Sequence, residues 1–153
     1  PSGTVGPAET IRDIASSLPC PLVVDEAYVD FAEFNCLDLV TEHDNILVTR
    51  TLSKSYGLAG IRFGYLVAQP ALIRRLTNIK DSYNCDYLAT VAATAAITSQ
   101  DWLGDVIGKL NTTRQRMQTA LTEMGFDVTP SHANFVWCTH PSGRHAELHQ
   151  FLK

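Results

Sequence analysis

The sequence lacks most of what would mark a membrane, secreted or nucleic-acid-binding protein. No apolar run approaches the ~20 residues that span a bilayer; the longest, Ala89 to Ile97, is short and rich in Ala and Thr. The opening PSGTVGPAET has neither the basic nor the apolar region of a secretory signal. Cys20, Cys36, Cys85 and Cys138 are far apart and none belongs to a CxxC pair, which argues against a disulfide framework or structural zinc and for a reduced, cytoplasmic setting. Basic residues are too few for a nucleic-acid face, with 12 Lys and Arg against 16 Asp and Glu. No internal repeat, low-complexity stretch or block of like charge is present.

What is there suits a folded α/β domain. The 153 residues are 45% hydrophobic and 18% charged, enough to build a core. Pro1 is not an initiator methionine and Lys153 falls within a helical pattern, so the chain reads as cut at both ends.

Helical spacing covers 7–18, with Pro7 suited to the first turn. A buried strand at Leu22–Val24 runs into Asp25-Glu26, and a second at Asn45–Thr49 runs into Arg50-Thr51-Leu52-Ser53-Lys54. LDLVTEHDN between them reads as a short helix and turn. A third strand is expected over Phe63–Ala68, then helices over Pro70–Ile79 and Tyr87–Ser99. The longest helix, Trp102–Met124, places Trp102, Val106, Leu110, Met117, Leu121 and Met124 on one face expected to be core, and Gly125 stops it. Two short strand pieces around Pro130-Ser131 and a helix from His145 complete the pattern.

Strands that end in DEAY and TLSK place those tetrapeptides at the carboxyl edge of a sheet, where open α/β folds bind ligands. Asp25, Tyr28, Thr51, Ser53 and Lys54 can therefore converge. A lysine among small hydroxyl residues suits Schiff-base chemistry. Thr51 and Ser53 suit phosphate oxygens, and Arg62 offers a guanidinium to a phosphate dianion. Asp25 suits a protonated pyridine nitrogen and Tyr28 a ring oxygen. Each also has a plain alternative: Lys54 as a solvated surface amine, Arg62 as an ion-pair partner, Asp25 as a cap. Tyr28 can equally be a half-buried core aromatic, and Thr51 and Ser53 generic strand-end residues.

DEAYVDF followed by TRTLSKSYGLAGIRFGY resembles the fold-type I pyridoxal-phosphate (PLP)-dependent aminotransferases, specifically the histidinol-phosphate aminotransferase family. PSGT resembles the tail of that family's NPNxPxGT segment and HANFVW its ANF strand, so the resemblance spans nearly the whole chain. It implies the central part of a PLP-binding large domain: a mainly parallel sheet with one antiparallel strand, flanked by helices, plus the start of a small C-terminal α/β domain. The implied division is 1–112 for the large domain and 113–153 for the interdomain helix and partial small domain.

The resemblance assigns Lys54 as the catalytic Schiff-base lysine and proton shuttle. Asp25 matches the partner of the pyridine nitrogen, Tyr28 the partner of the ring oxygen, and Thr51, Ser53 and Arg62 the phosphate cradle. It implies transamination between histidinol phosphate and 2-oxoglutarate in histidine biosynthesis, thus a small-molecule amino donor and a 2-oxo acid. It also implies a homodimer, with no metal and no nucleic-acid or membrane partner. Aromatic amino acid aminotransferases and threonine-phosphate decarboxylases carry the same cradle, and a non-catalytic PLP-binding remnant or a ligand-free module are the other readings.

The departures are specific. The asparagine of NPN would precede Pro1, and the family's late carboxylate-binding arginine would follow Lys153; Arg144 does not match it. Ser82 stands where proline usually precedes the Tyr83-Asn84 pair, so that pair is given no role. The 153 residues alone are expected to be inactive and to associate through exposed core surface. His145 and His149, spaced i and i+4, lack the metalloprotease glutamate and read as a solvated helix face. His132 and Asn134 read as turn residues.

Overall fold

The computed structural model describes residues 2–153. Helix α1 (Ala8–Ser17) leads into strand β1 (Leu22–Asp25), helix α2 (Leu39–Glu42) and strand β2 (Ile46–Thr51). Strand β3 (Gly64–Ala68) is followed by helices α3 (Pro70–Ile79), α4 (Tyr87–Thr98) and α5 (Gln100–Glu123). Strands β4 (Asp127–Thr129) and β5 (Trp137–Thr139) form an antiparallel pair, and helix α6 (His145–Leu152) follows. Two short 3-10 turns, Val29–Phe31 and Ala59–Ile61, carry no periodic signature and escaped the sequence pattern.

The main sheet has the order β1-β2-β3 and is mixed. β1 runs parallel to β2, with Leu22 opposite Ile46 and Asp25 opposite Thr49. β3 runs antiparallel to β2, with Thr51 opposite Gly64. That pairing carries β2 two residues past Thr49, because the backbone of Arg50 and Thr51 is taken up by Tyr65 and Gly64. Gly64 is required by proximity: a Cβ there would lie 2.9 Å from the carbonyl oxygen of Arg50, against rigid backbone.

The central strand is buried on both faces, as Ile46, Leu47 and Val48 show. Ile46 and Val48 pack with Ala15 of α1, Leu39 and Val40 of α2, and Cys36, while Leu22, Val24 and Val67 close the cluster from the neighbouring strands. Arg12 of α1 bonds Glu42 of α2 at 2.9 Å across the outside of this cluster. Asp86 caps α4, a helix with no charged side chain, by accepting from the Ala89 N–H at 2.9 Å.

Helix α5 corrects one expectation. Its periodic face is only partly covered: Trp102, Met117 and Met124 are 51%, 52% and 65% exposed, Val106 and Leu121 are half-buried, and the buried residue is Leu103. Spacing fixes which residues share a face but not how much of that face is covered. Gly125, at φ 86°, ends the helix as expected, its N–H bonded to the Thr122 carbonyl at 2.9 Å. The 112/113 boundary falls inside α5.

The loop after β4 is tied back to the rest of the molecule. Ser131 Oγ donates to the Phe135 carbonyl at 2.6 Å, the His132 N–H donates to the Gly3 carbonyl at 2.7 Å, and Arg114 of α5 donates to the Ala133 carbonyl at 2.8 Å.

Candidate functional site

Asp25 is the last residue of β1 and is exposed at the carboxyl edge of the parallel pair. Its Oδ1 accepts from the Ala27 N–H at 3.0 Å, a turn that re-aims the chain. Among the described residues its other oxygen has no partner. Glu26 points the opposite way and is buried. Its carboxylate accepts from Arg50 Nε at 2.9 Å and Nη2 at 2.7 Å and from the Cys36 N–H. A buried ion pair thus links the ends of β1 and β2 on the face opposite Asp25 and Thr51. Burial, with the Glu26 carboxylate adding to it, pushes the Cys36 thiol pKa up.

Tyr28 enters the Val29–Phe31 turn, which is anchored by the buried Phe31 and closed by the Phe31 N–H on the Tyr28 carbonyl at 3.1 Å. Phe135 meets the Tyr28 ring edge to face, with centroids 5.4 Å apart and planes at 84°. The Lys54 Nζ stands 5.0 Å from the Tyr28 centroid. Such a cation–π contact holds an amine by about 0.5–2 kcal/mol. Among the described residues no carboxylate pairs with Lys54, so its amine remains available.

Thr51, at the end of β2, shares its hydroxyl proton between Ser53 Oγ at 3.0 Å and the Phe63 carbonyl at 3.3 Å. It also accepts from the Ser53 N–H at 3.1 Å. The Leu52 N–H donates to the same Phe63 carbonyl at 3.2 Å, and buried Leu52 roots the lysine loop. Arg62, immediately before Phe63, has a left-handed backbone at φ 56°. Non-glycine residues rarely accept that conformation. Its guanidinium is exposed and donates to the Ala59 carbonyl at 2.9 Å. No hydrogen bond among the described residues joins it directly to Thr51 or Ser53.

The structure therefore brings Tyr28 onto Lys54 and Thr51 onto Ser53, with Arg62 set beside the latter through Phe63. Asp25 shares with Tyr28 the wall of a cavity of about 530 Å³, whose lining mixes apolar groups such as Val24, Phe34 and Phe135 with polar ones such as Asn35 and His132. Lys54, Thr51, Ser53 and Arg62 stand outside this cavity, on the open edge of the sheet. His132 lines the cavity; Asn134 is exposed, as are His145 and His149.

Four residues to which sequence reasoning gives no role are Glu26, Arg50, Asp30 and Ser55. The signal was opposite charge beside each strand end, DE and TRT, which gains meaning only once the strands are in register. Ser55 is buried and donates to the Asp30 carboxylate. Nothing in its spacing announces that bond.

The chain as a whole has parallels in known proteins. A family model described as aminotransferase class I and II matches residues 1–152. A histidinol-phosphate aminotransferase of Rhodopirellula baltica is 66% identical over all 153 residues, which make up 42% of that protein. A crystal structure of histidinol-phosphate aminotransferase from Sinorhizobium meliloti, in complex with pyridoxal-5'-phosphate, superposes at a TM-score of 0.81 with 34% identity. That match covers 89% of this chain and 38% of the other. The L-threonine-O-3-phosphate decarboxylase of Porphyromonas gingivalis shares the fold, at a TM-score of 0.84 and 24% identity over 99% of this chain and 48% of its own.

Proposed function

Because the chain belongs to the class I and II aminotransferases, we propose that its sheet edge holds pyridoxal 5'-phosphate for transamination between histidinol phosphate and 2-oxoglutarate. The observation that carries the reading is the Lys54 amine, free of any carboxylate partner among the described residues and facing the Tyr28 ring at the ends of a parallel strand pair. The donor set fits the group. An available amine, a carboxylate with one free oxygen, a phenol, two hydroxyls and a guanidinium match an aldehyde, a pyridine nitrogen, a ring oxygen and a phosphate.

When bound, the cofactor supplies an electron sink for the bond broken at the substrate Cα. Lys54 Nζ would hold the aldehyde carbon until the substrate amine took its place, and the amine so freed would move the proton at that Cα. Asp25 would keep a proton on the pyridine nitrogen, and Tyr28 would donate its phenol hydrogen to the ring oxygen. Thr51, Ser53 and Arg62 would bind the phosphate oxygens, Arg62 supplying the charge-assisted part.

The substrates follow the relatives: 66% identity to a histidinol-phosphate aminotransferase supports that amino donor, with a 2-oxo acid as acceptor. The chain spans 42% of that relative's length, so the reading is of a cofactor cradle within a larger catalytic unit. Within it, residues 1–112 form part of the cofactor-binding unit and 113–153 the interdomain helix and start of a smaller one. The reading includes a homodimer in the cytoplasm; four free thiols support the compartment.

The test is a graft. These 153 residues replace the matching stretch of the Rhodopirellula baltica relative, and histidinol-phosphate-dependent glutamate formation is measured. The expected result is turnover that Lys54→Ala removes by roughly a thousandfold or more. A folded graft that retains pyridoxal phosphate yet transaminates only aromatic amino acids, or releases carbon dioxide from threonine phosphate, overturns the substrate assignment.

A further inference from the structure

Tyr28 and Lys54 arrive on separate loops, one after β1 and one after β2, and any use of their 5.0 Å approach needs those loops in fixed relation. The parallel ladder holds the strands but stops short of both residues, its last backbone bond being Glu26 N–H to the Thr49 carbonyl at 2.9 Å. Beyond it, one side-chain hydrogen bond among the described residues joins the 27–31 turn to the 52–57 loop, that of Ser55 Oγ donating to Asp30 Oδ2. Ser55 directly follows Lys54 and is 2% exposed, while Asp30 lies in the turn that begins at Tyr28. A hydroxyl donating to a carboxylate makes a charge-assisted bond.

We propose that Asp30 and Ser55 are positioning residues that lock the Tyr28 turn to the Lys54 loop and so set the lysine amine over the phenol. The proposal rests on the reading of Lys54 as the cofactor lysine. It differs from a general stabilising role in being local. The core cluster under β2 involves neither residue, so loss of the bond frees the loop without dissolving the sheet. It also requires the contact and not the charge. Asparagine at position 30 still accepts the Ser55 hydrogen, and alanine at either position does not.

Two readouts on the 153-residue chain test this. The first treats Ser55→Ala, Asp30→Ala and Asp30→Asn with pyridoxal phosphate, reduces with borohydride and maps the modified lysine against Lys80, Lys109 and Lys153. The second, which needs no cofactor, is hydrogen exchange at the Gly57 amide, bonded to the Lys54 carbonyl at 3.2 Å. In both alanine variants, preference for Lys54 should fall and Gly57 exchange rise by roughly tenfold. Asp30→Asn should stay near the wild type in both. Wild-type labelling and exchange in the alanine variants overturn the proposal, and so does an equal loss in Asp30→Asn. If Ser55→Ala, changed at a buried site, fails to fold, Asp30→Ala at the half-buried end removes the same bond. Wild-type label spread evenly over the four lysines instead defeats the cofactor reading, and the exchange data then decide the clamp alone.

Discussion

The Lys54 amine stands 5.0 Å from the centroid of the Tyr28 ring, and Phe135 meets the same ring edge to face with centroids 5.4 Å apart. Tyr28 thus has two separable parts, a ring near the amine and a hydroxyl that the proposed function gives to the cofactor. Tyr28→Phe should weaken pyridoxal phosphate binding about tenfold, the worth of one hydrogen bond, and keep borohydride labelling on Lys54. Tyr28→Ala should lose the labelling preference as well. Fluorescence titration with peptide mapping checks both, and scattered label in Tyr28→Phe would contradict the division.

Arg62 combines an exposed guanidinium with a left-handed backbone. Arg62→Ala and Arg62→Gly should lose pyridoxal phosphate affinity alike, by roughly ten- to a hundredfold for one charge-assisted contact. They should differ in stability, the glycine variant being firmer by about 1 kcal/mol because it accepts φ 56° without strain. Urea unfolding beside a binding titration separates the two effects.

The Glu26–Arg50 pair fastens the same two strand ends from the opposite face, at 2.7 Å. Arg50→Met leaves the buried Glu26 carboxylate uncompensated and should cost about 3 kcal/mol. Glu26→Gln keeps an acceptor for the Cys36 N–H and should cost less. The double variant should recover at least about 1 kcal/mol relative to the sum, measured as a double-mutant cycle in urea. Strict additivity would mean that the pair contributes no coupling.

Cys36 carries a pH signature. Its thiol pKa is raised by burial and then by the neighbouring Glu26 carboxylate, so on alkalinisation the unfolded chain gives up this proton first. The folded state then binds more protons than the unfolded one, and stability falls as pH rises from the ordinary thiol range through the raised value. Unfolding midpoints from about pH 7 to about pH 10 should decline more steeply in the wild type than in Cys36→Ala. Exposed Cys20 and Cys85 should alkylate well before Cys36.

What was legible in the sequence follows from what each signal encodes. Apolar runs that break into polar tetrapeptides announced β1 and β2, and the order of carboxylate, phenol, hydroxyls, lysine and arginine announced the candidate edge. The extension of β2 through Arg50 and Thr51 was not legible, because it is imposed by the antiparallel partner β3. Glu26–Arg50 and Asp30–Ser55 depend on register and loop geometry, which residue types alone do not carry. The face of α5 was read as core since periodicity reports which side chains align and is silent on whether anything covers them.

Whether these residues build a lysine site for pyridoxal phosphate is open to measurement without any substrate. The chain is incubated with pyridoxal phosphate, reduced with borohydride, digested and mapped by peptide mass. Pyridoxyl mass should concentrate on Lys54 and be lost or scattered in Arg62→Ala. Label distributed over Lys80, Lys109 and Lys153 as readily as Lys54 would contradict such a site.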